Sequence, residues 1–245
     1  TTGYNNVAIG INVIHCHTAG DYNIALGSNV LQHGDGGDCN IGLGHCVLLK
    51  NTGTNNIALG KNSQKCNTVG HSNISFGSSS LASSLSGCFN FAAGSSALND
   101  NWGGSYNTAI GLCALKSNTT GCFNTAHGFF ALNKNTTASF NAAYGSHTLY
   151  LNTTGTGHTA SGYGALGKNT TGAHNTGVGY KALCSNTTGI KNIDAIYTGE
   201  LCKEAMIFSK TILKNNGKFI SKIFMGSTFN EIVKDCPDAV VVISF

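Results

Sequence analysis

The residues best suited to metal chemistry lie near the start of the chain, in the run His15-Cys16-His17. Imidazole and thiolate are the ligands that zinc prefers, and His33 follows Cys16 at an interval of seventeen residues. In an extended chain, however, successive side chains point to opposite faces, so His15 and His17 are separated from Cys16. We therefore expect no metal site in this chain.

Polar residues with other kinds of chemistry recur at the same seventeen-residue interval. Five asparagines begin Asn-x-Thr sequences, which are acceptors for N-glycosylation: Asn118, Asn135, Asn152, Asn169 and Asn186. Their fixed period indicates a structural role in a turn. Two threonine columns run beside them, one from Thr119 to Thr187 and one from Thr120 to Thr188. Flat threonine arrays can bind ice, but neighbours on a strand face opposite ways, so only one column can be exposed on a given face.

The interval itself is set by a repeated unit that reads roughly F-N-T-A-I-G-x-x-A-L-x-x-N-T-T-G-x. We number its positions 1 to 17, with the invariant glycine at position 6. Such self-similarity identifies a repeat protein, and we assign residues 1–190 to the repeat array and residues 191–245 to a second unit. One step of the series is sixteen residues long, and the eleven glycines are Gly10, Gly27, Gly44, Gly60, Gly77, Gly94, Gly111, Gly128, Gly145, Gly162 and Gly179.

The first half of the unit predicts a short β-strand, because N-T-A-I-G is too short and too β-branched for a helix. The second half predicts another short extended piece that ends in an Asn/Gly turn. Two strands and two turns would form one coil, and stacked coils would satisfy each other's backbone groups. The predicted fold is an all-β parallel β-solenoid of eleven coils. The invariant glycine requires either a positive φ or an approach too close for a Cβ atom.

Two columns of the array are candidates for its interior. Position 2 is Asn in ten of the eleven copies, with His158 as the exception, and its amides are expected to form a hydrogen-bonded ladder. Position 10 is Leu in nine copies, represented by Leu98, Leu115 and Leu132, with Ile14 and Gln64 in the other two. Burial of one Leu contributes about 2 kcal/mol, so this column is the predicted dry spine.

The composition narrows the choice of partners. Charged residues are sparse, and the positive charge comes from scattered lysines because there is no arginine. No basic run occurs, so a nucleic-acid interface is not supported. No stretch has the length and hydropathy of a membrane span. The strand of the unit is apolar on both faces in the early copies, which indicates that both faces are buried against other parts of a protein. One face packs on the interior of the coil, and the other is expected to pack on a partner chain.

Eight of the ten cysteines lie on the same repeat grid. Successive coils are about 4.8 Å apart, whereas a disulfide requires Cα atoms within about 7 Å. Cysteines that share a column are two to four coils apart, so we expect free thiols that serve as small apolar residues. A bridge within one coil, between Cys39 and Cys46, and bridges between chains stay open.

Residues 107–121, N-T-A-I-G-L-C-A-L-K-S-N-T-T-G, resemble the repeats of tail-fibre-domain proteins and, more distantly, the head repeats of trimeric autotransporter adhesins. The resemblance implies a parallel β-roll, often a homotrimer, that works as a surface stalk or adhesive head. It favours a cell-surface or extracellular location, with a surface or glycan ligand of unknown identity. Free cysteines are, in contrast, typical of a reducing compartment.

The second unit has an α/β pattern. Apolar residues three to four apart predict a helix over residues 198–214, and Asn215-Asn216-Gly217 would end it. Residues 218–224 and 239–245 read as strands, and Ser227 is placed to cap a short helix that runs to about Asp235.

Residues 186–234 are similar to the C-terminal part of FtsJ-type methyltransferases, as seen in the string N-T-T-G-x-K-N-I-D from Asn186 and in I-S-K-I-F-M-G at residues 220–226. That family methylates a ribose 2′-hydroxyl of ribosomal RNA with S-adenosylmethionine. The resemblance implies that Lys222 corresponds to the catalytic lysine, whereas Ala182 stands where the family has its catalytic Asp. One lysine without its partners cannot carry this chemistry, so we assign no catalytic residue and no cofactor. The leading hypothesis is a non-enzymatic structural or adhesive repeat protein, and the alternative is an inactive methyltransferase remnant fused to the repeats.

Overall fold

The structure is a computed structural model, which describes residues 3–16, 20–34, 36–195, 211–215 and 218–222. Fourteen short strands account for its regular structure. They are β1 Val7–Ile11, β2 Ile24–Ser28, β3 Ile41–His45, β4 Ile57–Leu59, β5 Ile74–Phe76, β6 Phe91–Ala93, β7 Thr108–Ile110, β8 Thr125–His127, β9 Ala142–Tyr144, β10 Thr159–Ser161, β11 Thr176–Val178, β12 Ile193–Ala195, β13 Thr211–Asn215 and β14 Lys218–Lys222.

The first twelve strands form one parallel sheet in which each strand pairs with the strands of the coils before and after it. Equivalent repeat positions are aligned throughout, as when Ala109 of β7 pairs with Ala126 of β8. The all-β parallel solenoid predicted from the repeat is therefore confirmed. The sheet continues through β12, beyond residue 190, because β12 pairs with β11 in the same register.

The prediction of two strands per coil is wrong, since the second half of each described coil is a series of turns. Positions 8 and 10 have positive φ in coil after coil, for example 55° at Cys113 and 50° at Leu115. A residue in the left-handed conformation turns the chain and is incompatible with an extended strand. They still bond to both neighbouring coils, because Cys113 N–H donates to Ser95 O and Leu115 N–H donates to Ala131 O, both at 3.0 Å.

The interior of the solenoid is filled by positions 4, 9 and 10. The Leu column is fully buried, including Leu98, Leu115 and Leu132 in one cluster with the alanines of positions 4 and 9. A second cluster, from Ala25 to Ala58, occupies the early coils. Between them stands Gln64, which donates to Ile57 O at 3.0 Å and Ser75 Oγ at 3.0 Å. Coils 4 and 5 therefore have a polar interior that divides the apolar core in two.

The position-2 asparagines form the predicted ladder, although its main bonds run to the backbone rather than between amides. Asn107 is typical: its Oδ1 accepts the N–H of Asn124 at 3.0 Å, and its Nδ2 donates to Gly121 O at 2.8 Å. Its own N–H donates to Asn90 Oδ1 at 3.0 Å. Each buried amide thus satisfies its hydrogen-bonding groups by joining one coil to the next, which removes the cost of burying it.

A second ladder runs through position 13. Here the amides bond to each other, as when Asn118 Nδ2 donates to Asn101 Oδ1 at 2.7 Å and Asn135 Nδ2 donates to Asn118 Oδ1 at 2.8 Å. The same Nδ2 of Asn118 closes the turn of its own coil by donating to Gly121 O at 2.9 Å. Sequence reasoning placed this column in a turn, and the structure adds a buried ladder to that role.

The invariant glycine meets both conditions that the sequence left open. Gly111 has a φ of +129°, and a Cβ built on it would lie 2.6 Å from the carbonyl oxygen of Gly128 in the next coil. A methyl group there would strain its own residue and push the next coil away, because the obstructing atom is backbone.

Replacing Gly111 with Ala is expected to lower the free energy of unfolding by about 2 kcal/mol or more. The matched control is Gly103→Ala, because a Cβ at Gly103 would meet only Ser86 Oγ, at 3.5 Å. Thermal melting followed by circular dichroism measures both variants. Equal melting temperatures for the two would contradict the assigned role of the position-6 glycine.

Candidate functional site

The candidate metal ligands His15, Cys16 and His17 of the first coil do not form a complete metal site in the described residues. The expected separation of His15 from Cys16 is wrong, because the chain turns here instead of running extended: His15 Nδ1 lies 3.3 Å from Cys16 Sγ, and both residues are exposed. His17 lies outside the described residues. Within the described part of the chain, no three His, Cys, Asp or Glu side chains converge as a metal site would require. The eight cysteines of that part are free thiols, so Cys39 and Cys46 are not bridged.

The glycosylation-like asparagines are inside the protein. Asn118, Asn135, Asn152 and Asn169 are fully buried, and Asn186 is partly buried at the end of the same ladder. A side chain that is buried and engaged in hydrogen bonds is not accessible to a modifying enzyme in the folded array. The Asn-x-Thr pattern therefore results from the repeat geometry.

The two threonine columns differ in exposure, as expected for neighbouring residues that point to opposite faces. The position-14 hydroxyls are used between coils, as when Thr119 Oγ1 donates to Thr136 O at 3.0 Å and Thr136 Oγ1 donates to Thr153 O at 3.0 Å. The next column, which includes Thr120 and Thr137, is exposed. One exposed column is a narrow stripe and not a flat two-column array.

An extended apolar surface lies on the outer face of the sheet, which we define as positions 3 and 5 of each strand. In the middle strands position 4 is buried while positions 3 and 5 are at least partly accessible, as in β3 and β4. In coils 1 to 6 these positions are almost entirely apolar: Val7, Ile9, Ile24, Leu26, Ile41, Leu43, Ile57, Leu59, Ile74, Phe76, Phe91 and Ala93. From β7 onward position 3 is mostly Thr, as at Thr108 and Thr176. The apolar part of the outer face therefore covers about half of the array.

Sequence reasoning did not single out an exposed aromatic stack at position 1. It consists of Phe89, Tyr106, Phe123 and Phe140, with ring centroids 5.0, 5.0 and 5.3 Å apart and planes within 9° of parallel. These spacings are in the range of favourable aromatic pairs. Each ring covers the face of the next, so mainly ring edges reach solvent. The seventeen-residue spacing of four aromatic residues was the signal that could have revealed it.

One buried titratable group interrupts the position-2 ladder. His158 is 1% exposed and replaces an amide. Its Nδ1 accepts the N–H of Asn175 at 3.2 Å, and its Nε2 donates to Gly172 O at 2.8 Å. A neutral imidazole with the proton on Nε2 therefore reproduces both bonds of an asparagine. Burial lowers the pKa of His158, although the two backbone bonds oppose that change.

In the last described coil of the array, a carboxylate takes the place of a backbone acceptor. In interior coils the position-10 N–H donates to the position-9 carbonyl of the next coil, as from Leu166 to Ala182 O at 2.8 Å. At Leu183 this donor instead meets Asp194 Oδ2 at 3.1 Å. Asp194 stands at position 4, where the other coils carry Ala, Gly or Ser. An inward charge at the last strand is a known way to terminate a sheet.

The second unit is described only in part. The predicted helix is wrong for residues 211–214, because β13 occupies them, and its residues 198–210 lie outside the described residues. Local apolar spacing favoured a helix, whereas antiparallel pairing of β13 with β14 gives residues 211–215 an extended conformation. β14 confirms a strand from Lys218 to Lys222. The predicted strand at 239–245 and the helix capped by Ser227 also lie outside the described residues.

These observations define a β-solenoid repeat protein followed by a different segment, and comparisons with known proteins concern that segment. A family model for FtsJ-like methyltransferases matches residues 181–238. Ribosomal RNA large subunit methyltransferase E of Pelagibacter ubique (strain HTCC1062) is 73% identical over 42 residues, which are 17% of this chain and 21% of that protein. The enzyme of the same name from Desulfatibacillum aliphaticivorans is 45% identical over 44 residues, 18% of this chain and 21% of that protein.

The chain thus spans about a fifth of the length of the curated relatives it matches. No solved structure is significantly similar to it. The family match and the solenoid overlap over residues 181–195. Within the overlap, Asn186 belongs to the position-13 ladder, and Ala182, where the resemblance places a catalytic Asp, is buried in the solenoid core. Lys222 is the last residue of β14. The described part of the chain contains no helix that qualifies as a membrane span.

His158 is expected to make the array less stable in mild acid. Its folded-state pKa is lowered, so as the pH falls below about 6.5, the usual pKa of His, the unfolded chain takes up a proton first. The free energy of unfolding is therefore highest above pH 6.5, and it decreases as the pH falls from 6.5 to the folded-state pKa of His158. His158→Asn restores the ladder amide and should reduce the drop in melting temperature between pH 7.5 and pH 5. A drop of the same size in both proteins would contradict the assignment.

Proposed function

We propose that this chain is a non-enzymatic structural or adhesive repeat protein, in which the solenoid is a stiff spacer that associates through its outer face. Eleven coils at about 4.8 Å each give an array roughly 50 Å long. Its interior is occupied by Leu, Ala and bonded amides, which supports a mechanical role.

The observation that carries the proposal is the apolar outer face of the first six coils. Ile24 is 38% exposed and Phe76 is 39% exposed, on strands whose inward residue at position 4 is buried. Apolar surface of this extent on an otherwise polar array is typical of an interaction site. Burial against copies of the same chain would remove it from water at about 25 cal/mol per Å². The resemblance to trimeric adhesin heads supports three copies.

Sedimentation equilibrium of the full chain tests this association. We expect a mass of three times the 25.3 kDa chain. Leu43→Lys, which puts a charge in the apolar part of the outer face, should shift the equilibrium at least tenfold toward monomer. The matched control is Thr176→Lys, which puts the same charge on the polar part of the face. A wild-type monomer at all concentrations, or equal effects of the two variants, would contradict the proposal.

The alternative is a remnant of an S-adenosylmethionine-dependent methyltransferase, and the 73% identity over 42 residues is the observation that favours it. A cofactor needs a complete pocket and a catalytic lysine needs partners, whereas the position of the family's catalytic Asp is a core alanine here. We expect isothermal titration calorimetry of the full chain with S-adenosylmethionine to show no binding heat. The Pelagibacter relative is the positive control. Measurable binding would favour the alternative.

A further inference from the structure

The position-13 ladder is interrupted at one place. Residue 84 is Ser where the coils on both sides have Asn67 and Asn101. The hydroxyl of Ser84 is too short to take the place of a carboxamide, and two buried atoms are left without a hydrogen-bond partner: Asn67 Oδ1 and Ser84 Oγ. In the intact part of the ladder, the equivalent Oδ1 atoms accept from the next coil at 2.7 to 3.1 Å.

Both orphan atoms are deeply buried, since Asn67 is 0% and Ser84 is 1% exposed. An unpaired buried polar group costs about 1–3 kcal/mol, so two of them in adjacent coils would be a substantial penalty. The neighbouring interior is also polar, because Ser63 Oγ lies 3.1 Å from Ser80 Oγ and Gln64 interrupts the Leu column. A polar ligand at this site would therefore face other polar groups as well.

We infer that one internal water molecule binds between Asn67 and Ser84 and completes the ladder. Exchanging a carboxamide for a hydroxyl removes two heavy atoms, which is comparable to the roughly 30 Å³ that one water occupies. The water donates one hydrogen to Asn67 Oδ1 and accepts the hydroxyl hydrogen of Ser84. It has two partners, the minimum for a stable internal water.

The same groups disfavour a cation. Asn101 Nδ2 donates to Gly104 O at 2.7 Å with one hydrogen, and a Cβ on Gly87 of the preceding coil would lie 2.7 Å from this nitrogen. Its second hydrogen is thus available toward the coil of Ser84, and no carboxylate belongs to this set of residues. A site with donors and no negative charge selects a molecule that both donates and accepts, which is water.

Water ¹⁷O relaxation dispersion of the full chain tests the inference, because its amplitude counts long-lived internal waters. Ser84→Asn supplies the missing amide, so we expect the amplitude to fall by one water per chain and the melting temperature to rise. The matched control is Ser96→Asn at position 8, a position that carries Asn at Asn12, Asn29 and Asn62; it should leave the amplitude unchanged.

An amplitude that is the same in wild type and Ser84→Asn would overturn the inference, whatever happens to the melting temperature. If Ser84→Asn does not fold, a crystal structure of the wild-type chain decides the question. Electron density within 3.2 Å of both Asn67 Oδ1 and Ser84 Oγ would support the water, and a site without density would exclude it.

Discussion

The solenoid depends on one constraint, namely that every buried amide must find its partners in the adjacent coil. Asn107 shows the arrangement, since its N–H and Oδ1 bond to the coils before and after it, while its Nδ2 bonds to Gly121 O at the end of its own repeat unit. Such a group is favourable only when the next copy arrives in register, because an unpaired amide in this interior would be costly. Strict periodicity follows directly from that requirement. The one sixteen-residue step confirms it, because the deletion falls in the exposed turn between Thr52 and Gly53, where both ladders keep their bonds to Gly53 O.

The ladders also explain how the coil tolerates strained backbone. Three positions in each coil besides the invariant glycine have positive φ, and one of them carries the buried Leu. A left-handed conformation costs an ordinary residue about 1–2 kcal/mol. Each such residue is held by backbone bonds to the neighbouring coils and, at Leu115, by full burial of its side chain. Because the contacts are made coil to coil, their stabilisation accumulates with the number of repeats.

The overlap between the solenoid and the methyltransferase-like segment has a physical basis. The string N-T-T-G-I-K-N from Asn186 supplies an Asn at position 13, a Gly at position 16 and an Asn at position 2. These are the three repeat positions that the ladders use, so a segment similar to an enzyme family can form the next coil without a change of register. The following Asp194 then provides the carboxylate that closes the coil. The string therefore meets the requirements of the solenoid while it also lies within the family match.

The sequence alone determined the repeat length, the parallel solenoid, the Leu spine and the existence of a position-2 ladder, because each is a column of identical residues at a fixed interval. It did not reveal that Cys113 and Leu115 are left-handed, that position 13 is buried, or that Phe123 stacks on Tyr106 and Phe140, and it predicted a helix where β13 lies. Those features depend on which way a side chain points once the chain has curled and, for β13, on its antiparallel pairing with β14. Local propensity carries no information about either, so only the tertiary structure decided them.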